Sequence, residues 1–151
     1  MRREEEMREG ITGTLAIDAS VLIDLLMLSN RGKIFQKALL DEVVDAHTTE
    51  IAIIETKYIL CRRLGWNKAN TKVEKLLASG YISVEKTEQI IDLAARYKCE
   101  RNISLADSLI LALAKKLGCK ALFSHREEEL IGEIQKKKLD VEIIFLEDYV
   151  K

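Results

Sequence analysis

Short apolar runs, each handing over to helical patterning, constrain this chain more than any other feature. Thr14-Leu15-Ala16-Ile17, Ala46-His47-Thr48, Tyr81-Ile82-Ser83-Val84, Lys120-Ala121-Leu122-Phe123-Ser124 and Val141-Glu142-Ile143-Ile144-Phe145 have the length and character of strands. Between them, three-and-four spacing of apolar residues predicts helices over about 18–26, 33–45, 49–64, 67–79, 86–99, 104–117 and 127–138. Ser29-Asn30-Arg31-Gly32 reads as the stop of the first helix, and Gly65, Gly80 and Gly118 close later ones. The order is β-α-α-β-α-α-β-α-α-β-α-β. Strands separated by helices imply parallel pairing, because the crossover connection is what a parallel pair needs. The expected fold is α/β: a three-layer α/β/α sandwich around a mostly parallel, roughly five-stranded sheet. In such sheets ligands sit at the carboxyl ends of the strands.

The 151 residues suit one domain, read as residues 13–151 behind a charged lead-in over residues 1–12. No apolar run reaches the roughly 18 residues of a membrane span. The start, Met1-Arg2-Arg3-Glu4-Glu5-Glu6, lacks the apolar stretch of a secretory signal, so a cytoplasmic place and no membrane contact are expected. Cys61, Cys99 and Cys119 are too far apart for a metal knuckle or a disulfide framework, and Cys61 and Cys99 are expected in the core. The net charge of −1 hides an uneven distribution: residues 49–80 hold six basic and three acidic side chains, a local +3. Phosphate contacts need such a surface, and a solvated helix face has the same composition.

Three carboxylates stand where carboxylates are costly. Asp18 directly follows the first strand, at the functional edge of the sheet, where it could equally cap the next helix. Glu55 shares a helical stripe with Ile51, Ile54, Tyr58 and Ile59, the face expected to pack on the sheet. Its neighbours three and four residues away are Ile51, Ala52, Tyr58 and Ile59, none of them a salt-bridge partner. A buried carboxylate is paired with a distant cation or bound to a metal. Asp107 occupies the fourth place of a Ser104-Leu105-Ala106-Asp107 capping pattern. The helix beyond it is apolar nearly all round, which buries it and aims its N-terminus at the same edge. Acids gathered at one rim repel unless a divalent cation neutralises them, and oxygen-only donors suit Mg²⁺ or Mn²⁺. Such ions hold phosphates and activate water, the two needs of phosphodiester hydrolysis.

Taken together, Ile17-Asp18-Ala19-Ser20-Val21-Leu22, Glu55 in its apolar helix, Leu105-Ala106-Asp107-Ser108-Leu109-Ile110-Leu111-Ala112-Leu113-Ala114, and Ala121-Leu122-Phe123-Ser124 ahead of an acidic helix resemble the PIN domain family. That family comprises metal-dependent ribonucleases, among them VapC-type toxins and ribosomal RNA-processing nucleases. The resemblance covers residues 13–148. It implies that Asp18, Glu55 and Asp107 are catalytic acids that bind Mg²⁺ or Mn²⁺, and that Ser20 and Ser124 are hydroxyl residues beside the substrate. It further implies RNA as substrate; Arg62, Arg63 and their basic neighbours over 57–75 are expected, from their charge, to guide its backbone. A homodimer follows from it as well, and, for a toxin, a small antitoxin protein as partner.

The family's fourth acid falls two residues after Ser124, where this chain has Arg126; Glu127, or Glu128, takes over by a small shift of the helix start. A rival keeps the fold and drops hydrolysis, leaving a module that binds RNA or protein. A phosphoryl-accepting domain is disfavoured, since Asp18-Ala19-Ser20 is neither an acidic pair nor Asp-x-Asp. His125 is given no role, and Trp66, the single tryptophan, makes no stacking platform.

Overall fold

The computed structural model describes Glu4 and residues 10–151, so most of the expected lead-in lies outside the described residues. Five strands form one sheet: β1 (Gly13–Ile17), β2 (Val44–Thr49), β3 (Ile82–Glu85), β4 (Lys120–Phe123) and β5 (Ile143–Phe145). Seven helices are described: α1 (Ala19–Met27), α2 (Asn30–Leu40), α3 (Glu50–Leu64), α4 (Trp66–Ala78), α5 (Ile91–Glu100), α6 (Leu105–Leu117) and α7 (Glu128–Lys136). Single 3-10 turns follow at Thr87–Gln89 and Leu146–Tyr149. The strand order is β3-β2-β1-β4-β5 and every pairing is parallel.

The central strand sets the layers through the two-residue period of its side chains. Leu15 and Ile17, with Leu122 of β4, pack under α1 and α2 against Val21, Leu22, Phe35 and Leu39. Ala16 and Ala121 point the other way, and their small side chains let α6 lie close against the sheet with Ile110, Leu111 and Leu113. Eight consecutive residues of α6, Asp107 to Ala114, are buried, as expected of a helix apolar on all sides. The α3–α4 pair closes over a smaller cluster of Leu60, Ala69 and Val73.

Several boundaries differ from those expected, each for a local reason. The second helix begins at Asn30, not 33, because Ser29 caps it, accepting a hydrogen bond from the Gly32 N–H at 3.0 Å. Ser29-Asn30-Arg31-Gly32 is therefore a helix start, and α1 ends instead on Leu28 in the left-handed conformation (φ 50°). The same helix stops at Leu40, not 45: Glu42 turns left-handed (φ 56°), with Glu42 N–H bonding Leu39 C=O and Val43 N–H bonding Ala38 C=O. That Schellman closure frees Val44 to start β2 opposite Gly13. On α3 the fully buried residues are Ala52, Thr56 and Leu60, whereas Ile54 and Tyr58 face solvent. The expected stripe through Ile54 and Tyr58 is thus rotated, and Glu55 sits on its half-buried margin. Cys99, expected in the core, is exposed.

Candidate functional site

The carboxyl ends of β1, β2 and β4 open onto a cleft of about 340 Å³ lined by Asp18, Ser20, Asp24, Glu55, Ser124 and Glu127, with Arg31, Arg63 and His125 on its walls. Asp18 leaves β1 as the N-cap of α1, its N–H bonded to Leu122 C=O at 3.0 Å. Both readings of this residue hold together: it caps the helix and remains on the cleft wall, only 6% exposed. Its Oδ2 accepts the Ser20 N–H (3.1 Å) and the Ser20 hydroxyl (2.6 Å), so the carboxylate is held through one oxygen.

Thr49 caps α3 by accepting the Ala52 N–H at 3.0 Å, which aims the first turns of that helix across the same edge and brings Glu55 to the cleft. Thr48 buries its hydroxyl against Ile17 C=O at 2.7 Å, fastening β2 to β1 just below. Ser104 caps α6 by accepting the Asp107 N–H at 3.0 Å. Asp107 is 8% exposed.

The electrostatics tie these acids together. Burial raises the Asp107 carboxyl to about 7, with Asp18 and Glu127 adding to the rise and Ser104 opposing it. Glu55 is raised by burial, then by Asp18 and Glu127. Glu127 is raised by burial and by Asp18. Glu55, Asp107 and Glu127 are thus each raised by burial and by the Asp18 charge, an environment in which a divalent cation with oxygen ligands is favoured. The donor set fits Mg²⁺ or Mn²⁺ in chemistry. Among the described residues no three acids, histidines or cysteines are already drawn together tightly enough to hold an ion.

Ser20 and Ser124, singled out by resemblance, belong to one hydrogen-bonded chain. Ser124 N–H donates to the Ser20 hydroxyl oxygen at 3.1 Å, and the Ser124 hydroxyl donates to Asp24 Oδ2. Asp24 also accepts from the Ser29 hydroxyl (2.9 Å) and pairs with Arg31 Nε (3.3 Å). Asp24 and Arg31 were not among the residues expected at the site. The signal for Asp24 existed, since it lies four residues after Ser20 and so on the same face of α1. Of the two arginines expected on the RNA path, Arg63 lines the cleft. Arg62 instead lies over the Tyr58 ring, 5.0 Å from its centroid. Glu127 is in the cleft, whereas Arg126 turns away to Glu147 and Asp148. His125 is exposed on the cleft wall.

The PIN domain family model matches residues 15–131. Among solved structures, the chain is similar to VapC20 of Mycobacterium tuberculosis, a sarcin-ricin loop cleaving toxin. The TM-score is 0.60 at 20% identity, covering 78% of this chain and 93% of that one. It is similar to a toxin-antitoxin complex from Klebsiella pneumoniae (TM-score 0.58, 17% identity, 78% of this chain and 91% of that one). A DNA-bound VapBC from Salmonella typhimurium gives TM-score 0.58 at 15% identity, over 88% of this chain and 98% of that one. Identities this low concern the fold. None of the curated proteins matches the sequence. With a parallel β3-β2-β1-β4-β5 sheet, an acidic cleft at its carboxyl edge and a family match over most of its length, the chain belongs to the PIN domain family.

Proposed function

We propose that this protein is a divalent-metal-dependent ribonuclease that hydrolyses RNA phosphodiester bonds, acting in the cytoplasm. The observation that carries the reading is the gathering of Asp18, Glu55 and Glu127 in one cleft, with the buried Asp107 carboxyl, outside the cleft lining, raised by burial and by the charges of those three acids. These four carboxylates would hold Mg²⁺ or Mn²⁺. A divalent ion bound there supplies water activation and neutralises charge developing on the phosphoryl oxygens. The remaining work falls to the chain itself. Ser20 fixes Asp18 through Oδ2, and Ser124 fixes Ser20 in turn. Arg31 and Arg63 offer guanidinium donors from the walls to the RNA backbone. With no aromatic platform among the described residues that line the cleft, recognition rests on backbone shape and charge.

An antitoxin protein and a second copy of this chain are the partners this reading expects. The toxin-antitoxin assemblies among the similar structures support the first. Exposed Ile54 and Tyr58 on α3 supply apolar surface for an association of either kind. Among the described residues no helix is long and apolar enough to cross a membrane.

Arg126 at the place of the family's fourth acid favours a second reading, a module that binds RNA or protein without cutting it. One assay separates them: cleavage of a mixed-sequence single-stranded RNA in Mg²⁺ or Mn²⁺ against EDTA, with Asp18→Asn alongside. The nuclease reading expects metal-dependent cleavage that falls by at least about a hundredfold in Asp18→Asn, in line with the loss of a transition-state ligand. RNA binding without cleavage in any metal would establish the second reading.

A further inference from the structure

We propose that Arg126 is a positioning residue: clamped to the C-terminal 3-10 turn, it holds the 124–127 loop in the register that turns Glu127 into the cleft as its fourth acid. The proposal rests on the metal-site reading above and concerns how this chain builds that site. The Arg126 guanidinium forks onto Asp148, Nη1 to Oδ1 and Nη2 to Oδ2, both at 2.7 Å, and Nη1 also reaches Glu147 Oε1 at 2.8 Å. Its face covers the Phe145 ring at 4.5 Å from the centroid. The main chain doubles the tie. Arg126 N–H donates to Glu147 Oε1 at 3.2 Å, and Glu147 N–H donates to Ser124 C=O at 2.9 Å.

A planar fork fixes orientation as well as distance, which a lysine ammonium does not. Neighbouring side chains leave extended backbone on opposite sides. Glu127 has extended dihedrals (φ −97°, ψ 133°), so with Arg126 held against 145–148 the next side chain is thrown toward the cleft. Glu127 occupies the N-cap place of α7 yet makes no side-chain capping bond, which leaves its carboxylate to the cleft. Its charge is felt at Asp107 and Glu55. The chain has thus moved the fourth acid by one residue and used the vacated position for the anchor that makes the move work.

The test is Mn²⁺ binding by the full chain, followed by isothermal titration calorimetry. Arg126→Ala, Arg126→Lys and Asp148→Ala are each compared in the parent and in a Glu127→Gln background, with folding checked by circular dichroism. Residues that orient metal ligands typically change affinity by about ten- to a hundredfold. Arg126→Ala and Asp148→Ala should each weaken Mn²⁺ binding about tenfold in the parent and less than about twofold once Glu127 is Gln. Arg126→Lys should lose most of the same affinity, because it cannot form the fork. Equal losses in both backgrounds would show a general structural role and overturn the proposal. Parent binding that all three variants leave intact would overturn the clamp alone. A parent that binds no Mn²⁺ would overturn the metal reading and the clamp with it.

Discussion

Asp107 shows how far tertiary surroundings can change one residue. Burial, and then Asp18 and Glu127, bring its carboxyl from an ordinary 3.8 to about 7. The folded state therefore holds that proton more tightly than the unfolded chain does. Between about pH 4 and pH 7 the unfolded chain binds fewer protons, so metal-free stability falls as pH rises through this window. Glu55 and Glu127 shift in the same direction and steepen the slope. In EDTA, the stability advantage of Asp107→Asn over the parent should grow by about 2–3 kcal/mol between pH 5 and pH 8. Urea denaturation at the two pH values measures this, and an identical pH slope in parent and variant would refute it. The capping pattern at Ser104 and the edge position of Asp18 were legible in the sequence because both are local signals. Asp24 passed as one more polar residue of an amphipathic helix, because the Ser124 hydroxyl that defines its role lies 100 residues away.

At the scale of elements, the α1–α2 corner determines how the cleft wall is built. Gly32 lies where α2 crosses the end of α1, and a Cβ there would stand 1.8 Å from the Asp24 carbonyl oxygen. The glycine is required by close approach, not by turn geometry, so reading it as a helix stop missed its role. Gly32→Ala must push the helices apart or displace Asp24, and overpacking of this kind costs about 2–3 kcal/mol. A lower urea midpoint is expected, together with reduced RNA cleavage, since Asp24 connects Arg31 to Ser124. A midpoint unchanged within error would mean that the corner yields freely. The rotated stripe of α3 teaches a related lesson. Periodicity pointed to the face of Ile51, Ile54, Tyr58 and Ile59, and the pairing of α3 with α4 through Leu60, Ala69 and Val73 buried instead the one carrying Ala52, Thr56 and Leu60. Glu55 remains at the cleft because it sits on the half-buried margin of that face.

For the whole molecule, α6 is the axle. It packs on the central strands through a face made possible by Ala16 and Ala121, and its first turn carries the buried Asp107. Leu111→Ala removes a side chain with no exposed surface and should destabilise the fold by about 3 kcal/mol, cavity included. Thermal or urea denaturation checks this, and a loss below about 1 kcal/mol would show that the core collapses into the space. The order of elements, the α/β class and the parallel sheet could be read from the chain, because strand and helix periods are written in neighbouring residues. So could Asp18 after its strand and Asp107 in the first turn of its helix, because the end of a strand and the start of a helix are local events. Sequence alone determined that much. Only the tertiary structure decided which carboxylates share one cleft, that Arg126 faces the C-terminal turn, and that Glu127 takes the inner place. The Arg126–Asp148 fork spans 22 residues and the Asp24–Ser124 bond spans 100. Contacts across such separations come from the packing of whole layers, and no local spacing encodes them.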